Sequence, residues 1–125
     1  MRRYMKNANP KHLEKFLSAL FSERDPFALR FLDKVFLHFK MDFSPVPTIR
    51  KSEAQQIQTP IYLFTAEKDI IFPGKSMQKR AAKLFPNLQH NELLSGSNHV
   101  LSRAHNDYLQ HLIIESRTVM ETEAQ

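Results

Sequence analysis

The sequence predicts an α/β fold in which a helical N-terminal half is followed by a βαβα unit with two parallel strands. Three observations predict it. Apolar residues recur at helical spacing over residues 10–41, and strand-like and helix-like segments alternate over residues 57–117. Between them FSPVP, residues 43–47, interrupts the helical pattern with two prolines. At 125 residues, with 42% hydrophobic and 25% charged side chains, the chain has the length and composition of one globular domain.

Residues 1–50 are predicted to hold two helices. The first covers residues 10–22 and carries a single apolar stripe. Its stripe consists of Leu13, Phe16, Leu17, Leu20 and Phe21. The second follows Asp25, the predicted N-cap, and reaches about Met41. Because this second helix is apolar on more than one face, more than one neighbouring element is expected to cover it.

Residues 51–119 are predicted to form the βαβα unit. TPIYLFTAE, residues 59–67, combines β-branched and aromatic residues without alternation, as expected of a strand that is buried on both faces. The amphipathic helix GKSMQKRAAKLFP, residues 74–86, leads to a short second strand, LQHNELL, residues 88–94. Parallel pairing through a right-handed crossover is the default for such a unit.

Polar segments border this unit. SEAQ, residues 52–55, has the form of a capping box and predicts a short helix before the first strand. The loop SGSNHV, residues 95–100, precedes a last amphipathic helix that ends near Arg117. The polar residues 120–125 are expected to form a frayed tail.

The net charge of +5 belongs to the N-terminal half. Residues 1–60 contain 11 Lys/Arg and 6 Asp/Glu, whereas residues 61–125 contain 7 of each. The cations are scattered rather than clustered, so neither nucleic-acid nor membrane binding is expected. No stretch approaches the roughly 20 apolar residues of a membrane span. With no cysteine the chain forms no disulfide, which fits a cytoplasmic location.

One acidic residue and one histidine stand at matching positions of the two predicted strands. Asp69 follows the first strand, and His99 lies in the loop after the second. Because parallel strands end at the same edge of a sheet, these two loops should lie side by side. A carboxylate that holds one imidazole nitrogen makes the histidine a useful general base. Taken singly, each residue is more simply a hydrogen-bonded loop residue, so the juxtaposition carries the prediction.

Residues 57–117 resemble the C-terminal third of the α/β-hydrolases. In that family the triad acid follows the penultimate strand, and the triad histidine lies in a G-x-x-H loop after the last strand. The resemblance implies that Asp69 is the acid and that His99, in the sequence GSNH, is the histidine. It also implies hydrolysis of an ester-like small molecule without a cofactor. Residues 1–50 resemble, in outline, the helical lid of many members.

The nucleophile of that family is absent from this sequence. It lies in a G-x-S-x-G elbow, and the two glycines here, Gly74 and Gly96, do not fit that motif. The serines before Asp69 fall in predicted helices, in the proline-rich link and in a cap. They are Ser18, Ser22, Ser44 and Ser52. Ser97 is two residues from His99 in one loop, which is not a triad arrangement. The oxyanion hole is missing as well, so this chain alone is predicted to be inactive.

Two hypotheses of different classes follow. In the first, the chain is the C-terminal part of an esterase-like serine hydrolase and supplies Asp69 and His99. In the alternative, it is a non-catalytic truncated relative that forms homo-oligomers or binds a partner through its apolar helices and open strand edge. Both expect further strands or a second chain, because two short strands make a poor sheet by themselves. The six histidines show no metal-ligand spacing, so no metal is expected.

Overall fold

The structure, a computed structural model, describes residues 10–39, 44 and 47–123. Its elements in chain order are α1 (Pro10–Leu20), α2 (Pro26–His38), α3 (Lys51–Ala54), β1 (Ile61–Ala66), α4 (Gly74–Leu84), β2 (Leu88–Leu94) and α5 (Arg103–Glu123). We call residues 67–73 the acid loop and residues 95–102 the histidine loop. Within the described residues, no helix combines the length and the hydropathy that a membrane-spanning segment needs.

The two strands pair in parallel, as predicted. β1 and β2 form a two-stranded sheet whose register runs from Ile61 opposite Leu88 to Ala66 opposite Leu94, with one irregularity between Ile61 and Tyr62. α4 connects the strands and packs against both of them. The strands therefore end level with each other, and the acid loop and the histidine loop leave the sheet at the same edge.

The expectation that β1 is buried on both faces is wrong within the described residues. Only Thr65 and Ala66, at its carboxyl end, are buried, while Tyr62 is 49% exposed. β1 has a pairing partner on one edge, and α4 lies against one face of the sheet. The apolar composition of β1 indicates that both of its faces require packing partners, and the described residues cover one face.

The core of the helical half lies between α1 and α2. Its buried cluster is the predicted stripe of α1, namely Leu13, Phe16, Leu17 and Leu20. Partly buried side chains of α2, among them Phe36, pack against it, and the rings of Phe16 and Phe36 meet edge to face with centroids 5.7 Å apart. Ile71 from the acid loop also packs against this cluster. The helical half and the acid loop thus share one apolar core.

α2 begins as predicted and is covered less than predicted. The Asp25 carboxylate caps it by accepting hydrogen bonds from the amides of Phe27 and Ala28, at 2.9 and 3.0 Å. It ends at His38, and the predicted end at Met41 lies outside the described residues. Phe27 and Phe31 are 81% and 60% exposed, because they lie outside the face of α2 that packs against α1.

Two further boundaries differ from the sequence-based expectations. α3 begins at Lys51, and Glu53, not Gln55, reaches back to the amide three residues before it, accepting from Arg50 N at 2.7 Å. A carboxylate is a stronger acceptor than an amide, which favours this earlier start. α5 continues to Glu123, so residues 120–123 are helical where a tail was expected. No glycine or proline interrupts them, and polarity alone does not end a helix.

The start of α4 lies against the end of β1. Gly74 is buried, and a Cβ atom there would collide with the carbonyl oxygen of Ala66 and come within 2.9 Å of Leu93 Cδ1. The helix therefore approaches the strand more closely than a residue with a side chain allows. This contact fixes both ends of the acid loop, which joins Ala66 to Gly74.

Replacing Gly74→Ala should lower the free energy of unfolding by about 1–3 kcal/mol, the usual cost of overpacking. Helix propensity alone favours alanine by up to about 1 kcal/mol, so the sign of the change separates the two effects. Urea unfolding measures it. The exposed Lys79→Ala on the same helix is the control and should change stability by no more than about 0.5 kcal/mol. A Gly74→Ala chain that is as stable as the wild type would contradict the close contact.

Candidate active site

Asp69 is held rigidly in the acid loop. Its Oδ1 atom accepts hydrogen bonds from the backbone amides of Ile71, at 2.7 Å, and Phe72, at 2.9 Å. Aspartate often forms such a turn, because its carboxylate can accept hydrogen bonds from the backbone amides two and three residues later. The side chain is only 8% exposed. The Oδ1 atom thus accepts two hydrogen bonds within the acid loop, and the Oδ2 atom remains for a partner outside this loop.

Hydrogen bonds that do not involve Asp69 or His99 connect the histidine loop to the acid loop. Gly96 has φ +70°, a left-handed conformation that glycine adopts without strain. Its amide donates to Glu67 Oε2 at 2.9 Å, and the Ser95 hydroxyl donates to the same oxygen at 3.3 Å. The amide of Lys68 donates to the carbonyl of Ser97 at 2.8 Å. The two loops are therefore connected along their length.

The hydrogen bond from the Gly96 amide is the main reason that the pKa of Glu67 lies below its usual value. Burial acts in the opposite direction, and the Ser95 hydroxyl and two nearby lysines add to the lowering. Glu67 is therefore ionised at neutral pH, where it holds the first residues of the histidine loop. Glu67 was not predicted from the sequence, since an exposed glutamate after a strand carries no distinguishing signal.

Asp69 and His99 meet between the two loops. Oδ2 of Asp69 lies 2.9 Å from Nδ1 of His99. An ionised carboxylate only accepts hydrogen bonds, so Nδ1 is the protonated nitrogen and Nε2 carries the lone pair of the neutral ring. The His99 side chain is 35% exposed, and no described residue forms a hydrogen bond with its Nε2. This geometry leaves Nε2 available to accept a proton.

The pKa of Asp69 lies below its usual value. Burial, the largest single influence, raises it, but the hydrogen bonds from the Phe72 amide, from His99 and from the Ile71 amide together lower it by more. The carboxylate is therefore ionised at neutral pH, where its Oδ2 atom accepts the hydrogen bond from Nδ1 of His99. Phe72 also lies beside the imidazole, with ring centroids 5.8 Å apart and an interplanar angle of 41°.

The serines before Asp69 that the structure places in or beside a helix, and Ser97 of the histidine loop, have structural positions. The Ser97 hydroxyl is fully buried and donates to the carbonyl of Leu94 at 2.7 Å. The Ser22 hydroxyl donates to the carbonyl of Val100 at 2.9 Å. Ser18 lies within α1 and Ser52 within α3, so neither stands on a strand-to-helix elbow. The described residues bring an acid and a histidine together, and none of these four serines lies on a strand-to-helix elbow.

A second histidine and acid pair lies on the sheet face. His90 Nε2 is 2.8 Å from Glu92 Oε2, and the Tyr108 hydroxyl donates to the same oxygen at 2.9 Å. This hydrogen bond is the main cause of a raised pKa for Tyr108. The His90 ring packs against two aromatic rings. Its centroid lies 5.0 Å from that of Phe64 and 6.2 Å from that of Tyr62, on which it stacks. In the described part of the chain, no three His, Asp or Glu side chains are grouped so as to hold a metal ion.

Replacing Asp69→Asn should lower the free energy of unfolding at neutral pH by about 1.5–3 kcal/mol, the usual worth of a hydrogen bond to a charged group. Because folding lowers the pKa of Asp69, its contribution is complete above the unfolded value of about 3.9 and is lost as pH falls through the folded pKa. The difference from wild type should therefore shrink below about pH 4.

Urea unfolding from about pH 2 to 7 measures this difference. Asp107→Asn is the control, because that side chain is 68% exposed and lies 3.9 Å from Arg103, a geometry worth about 1 kcal/mol or less. A gap between Asp69→Asn and wild type that stays constant across this range would contradict the ionic hydrogen bond.

Comparison with known proteins supports the fold at the level of architecture. Neither the protein-family models nor the curated proteins match this sequence. A solved structure of a naproxen esterase (carboxylesterase NP) from Bacillus subtilis is similar, with a TM-score of 0.64 and 20% sequence identity. The similarity covers 82% of this chain and 39% of the esterase chain. The chain therefore folds as helices and a two-stranded parallel sheet that resemble part of an esterase of the α/β-hydrolase fold.

Proposed function

We propose that this chain supplies the acid and the histidine of a catalytic triad in an esterase-like serine hydrolase. One observation carries the proposal: Oδ2 of Asp69 lies 2.9 Å from Nδ1 of His99, while the other carboxylate oxygen is fixed by two backbone amides. A carboxylate held in this way orients the imidazole and stabilises its protonated form. The fold shared with a carboxylesterase supports this assignment.

The nucleophile in this proposal is a serine outside the 125 residues, in the same longer protein or in a partner chain. The chain spans 39% of the similar esterase, so most of such a protein lies elsewhere. The serine attacks the carbonyl carbon of an ester, and Nε2 of His99 takes its proton. The same nitrogen then returns the proton to the departing alcohol, while Asp69 remains ionised throughout. The mechanism needs no cofactor, and the absence of cysteines is consistent with a cytoplasmic location.

Replacing His99→Ala in the complete protein should abolish ester turnover and slow labelling of the serine by a fluorophosphonate by at least about 100-fold, because the general base is lost. His111→Ala is the matched control. His111 also faces a carboxylate, with Nε2 3.1 Å from Glu115 Oε1, but its side chain is 72% exposed on α5. Retained turnover in His99→Ala would contradict the proposed role. The 125-residue chain alone should remain unlabelled, and stoichiometric labelling would mean that it carries its own nucleophile.

A second candidate function rests on exposed apolar surface. Phe27 and Phe31 on α2 are 81% and 60% exposed, and within the described residues β1 is paired along one edge. The alternative proposal is that these surfaces bind a second copy of the chain or a partner, with no catalysis. Sedimentation of the purified chain separates the two. A folded oligomer that dissociates on Phe31→Glu favours the alternative, and a folded monomer opposes self-association.

A further inference from the structure

The carboxyl end of α1 is completed by the histidine loop. A helix leaves its last carbonyls without partners in the helix, and glycine often follows to satisfy them. α1 ends at Leu20 and has no glycine after it. Instead the Asn98 side-chain amide donates to the carbonyls of Ala19, at 3.2 Å, and Phe21, at 2.9 Å. The Val100 amide donates to the carbonyl of Leu20 at 2.7 Å.

Ser22 completes this junction from the side of the helical half. Its hydroxyl accepts a hydrogen bond from the backbone amide of Asn98 at 2.7 Å and donates one to the Val100 carbonyl at 2.9 Å. The Ser22 amide donates to the same carbonyl at 2.9 Å, which forms a short parallel bridge between Phe21 and Val100. Because a hydroxyl has a single proton to donate, this pattern uses its donor fully. Ser22 therefore binds the backbone directly before and directly after His99.

The same helix also reaches the acid. Ile71, whose amide donates to Asp69 Oδ1 at 2.7 Å, packs against the buried cluster of α1. The backbone on both sides of His99 is thus held by residues at the carboxyl end of α1. Asp69 is held by Ile71, a residue that packs on the apolar face of α1. The apolar face of α1 and the residues at and after its carboxyl end thus contact both of the loops that carry the pair.

From these contacts we infer that Ser22 is a positioning residue for His99, which rests on the proposed function for its catalytic meaning. By holding the backbone at 98 and 100, the hydroxyl keeps Nδ1 of His99 within hydrogen-bonding distance of Asp69 Oδ2. Loss of the hydroxyl leaves the Asn98 amide without its acceptor and Val100 O with one donor instead of two. The loop then relaxes, and small displacements of a catalytic base are expensive: about 1 Å costs up to about 100-fold in rate.

The competing explanation is that Ser22 only stabilises the end of α1. A purely stabilising role would lower the melting temperature and leave the imidazole of the folded chain unchanged. The test therefore observes His99 itself, by nitrogen-15 and proton NMR of the histidine side chains in the 125-residue chain. In wild type, His99 should show one tautomer, protonated on Nδ1, with a slowly exchanging Nδ1 proton.

Ser22→Ala should broaden or abolish that Nδ1 proton signal and mix the two tautomers in the folded chain. Ser22→Thr, which keeps the hydroxyl, should retain the wild-type pattern, as should Ser18→Ala, the exposed control on α1. An unchanged His99 spectrum in folded Ser22→Ala overturns the inference. If Ser22→Ala does not fold, Ser22→Cys is judged by the same criterion, because a thiol fills a similar space with much weaker hydrogen bonds.

The spectrum is recorded without substrate, so it is independent of the proposed function. Failure of that function would appear as retained turnover in His99→Ala and would leave the effect of Ser22→Ala on the spectrum unaltered. In the complete protein, the expected kinetic counterpart for Ser22→Ala is a kcat lowered by about 10- to 100-fold with KM unchanged.

Discussion

Parallel pairing of β1 with β2 is the constraint on which the rest of this structure depends. The strands end level, with Ala66 opposite Leu94, so the acid loop and the histidine loop leave the same edge of the sheet. A slip of one residue in the register would move one loop by about 3.3 Å relative to the other. That displacement is larger than the separation of 2.9 Å between His99 Nδ1 and Asp69 Oδ2. The register therefore decides whether the acid and the histidine touch.

Packing outside the sheet makes this register firm. The buried Gly74 lets α4 approach the Ala66 carbonyl, which closes the acid loop from one side. From the other side, Ile71 joins the buried cluster of α1. Glu67 holds the start of the histidine loop through the Gly96 amide, and the end of α1 holds its middle through Asn98. Four contacts outside the pair thus hold the two loops in place, which is the kind of support that precise positioning of side chains needs.

The sequence predicted the parallel sheet and the proximity of Asp69 and His99, whereas the catalytic role of the two residues stays a prediction. An apolar run marked β1, the short segment LQHNELL after the amphipathic helix marked β2, and parallel pairing then placed Asp69 and His99 at one edge of the sheet. The capping of α2 by Asp25 was equally visible, because an N-cap acts within three residues along the chain. These successes share a cause: each depends on local pattern or on a topological rule that leaves little choice.

The features that the sequence did not predict depend on partners that are distant along the chain. Ser22 and Asn98 are 76 residues apart, and a serine that follows a helix gives no sign of the loop that it will bind. The exposure of Phe27 and Tyr62 was not predicted, because an apolar pattern shows which faces need a packing partner. It does not show whether the same chain supplies that partner. The lid-like role of residues 1–50 stays a prediction, although α1 is bound to the histidine loop.

The most direct test of the central claim is a double-mutant cycle between Asp69 and His99. The free energy of unfolding at pH 7 is measured for wild type, Asp69→Asn, His99→Ala and the double variant. We predict a coupling energy of about 0.5–3 kcal/mol, the range found for residues that are in contact or share a hydrogen bond. A coupling energy near zero would mean that the acid and the imidazole do not interact in the folded chain, and would contradict this prediction.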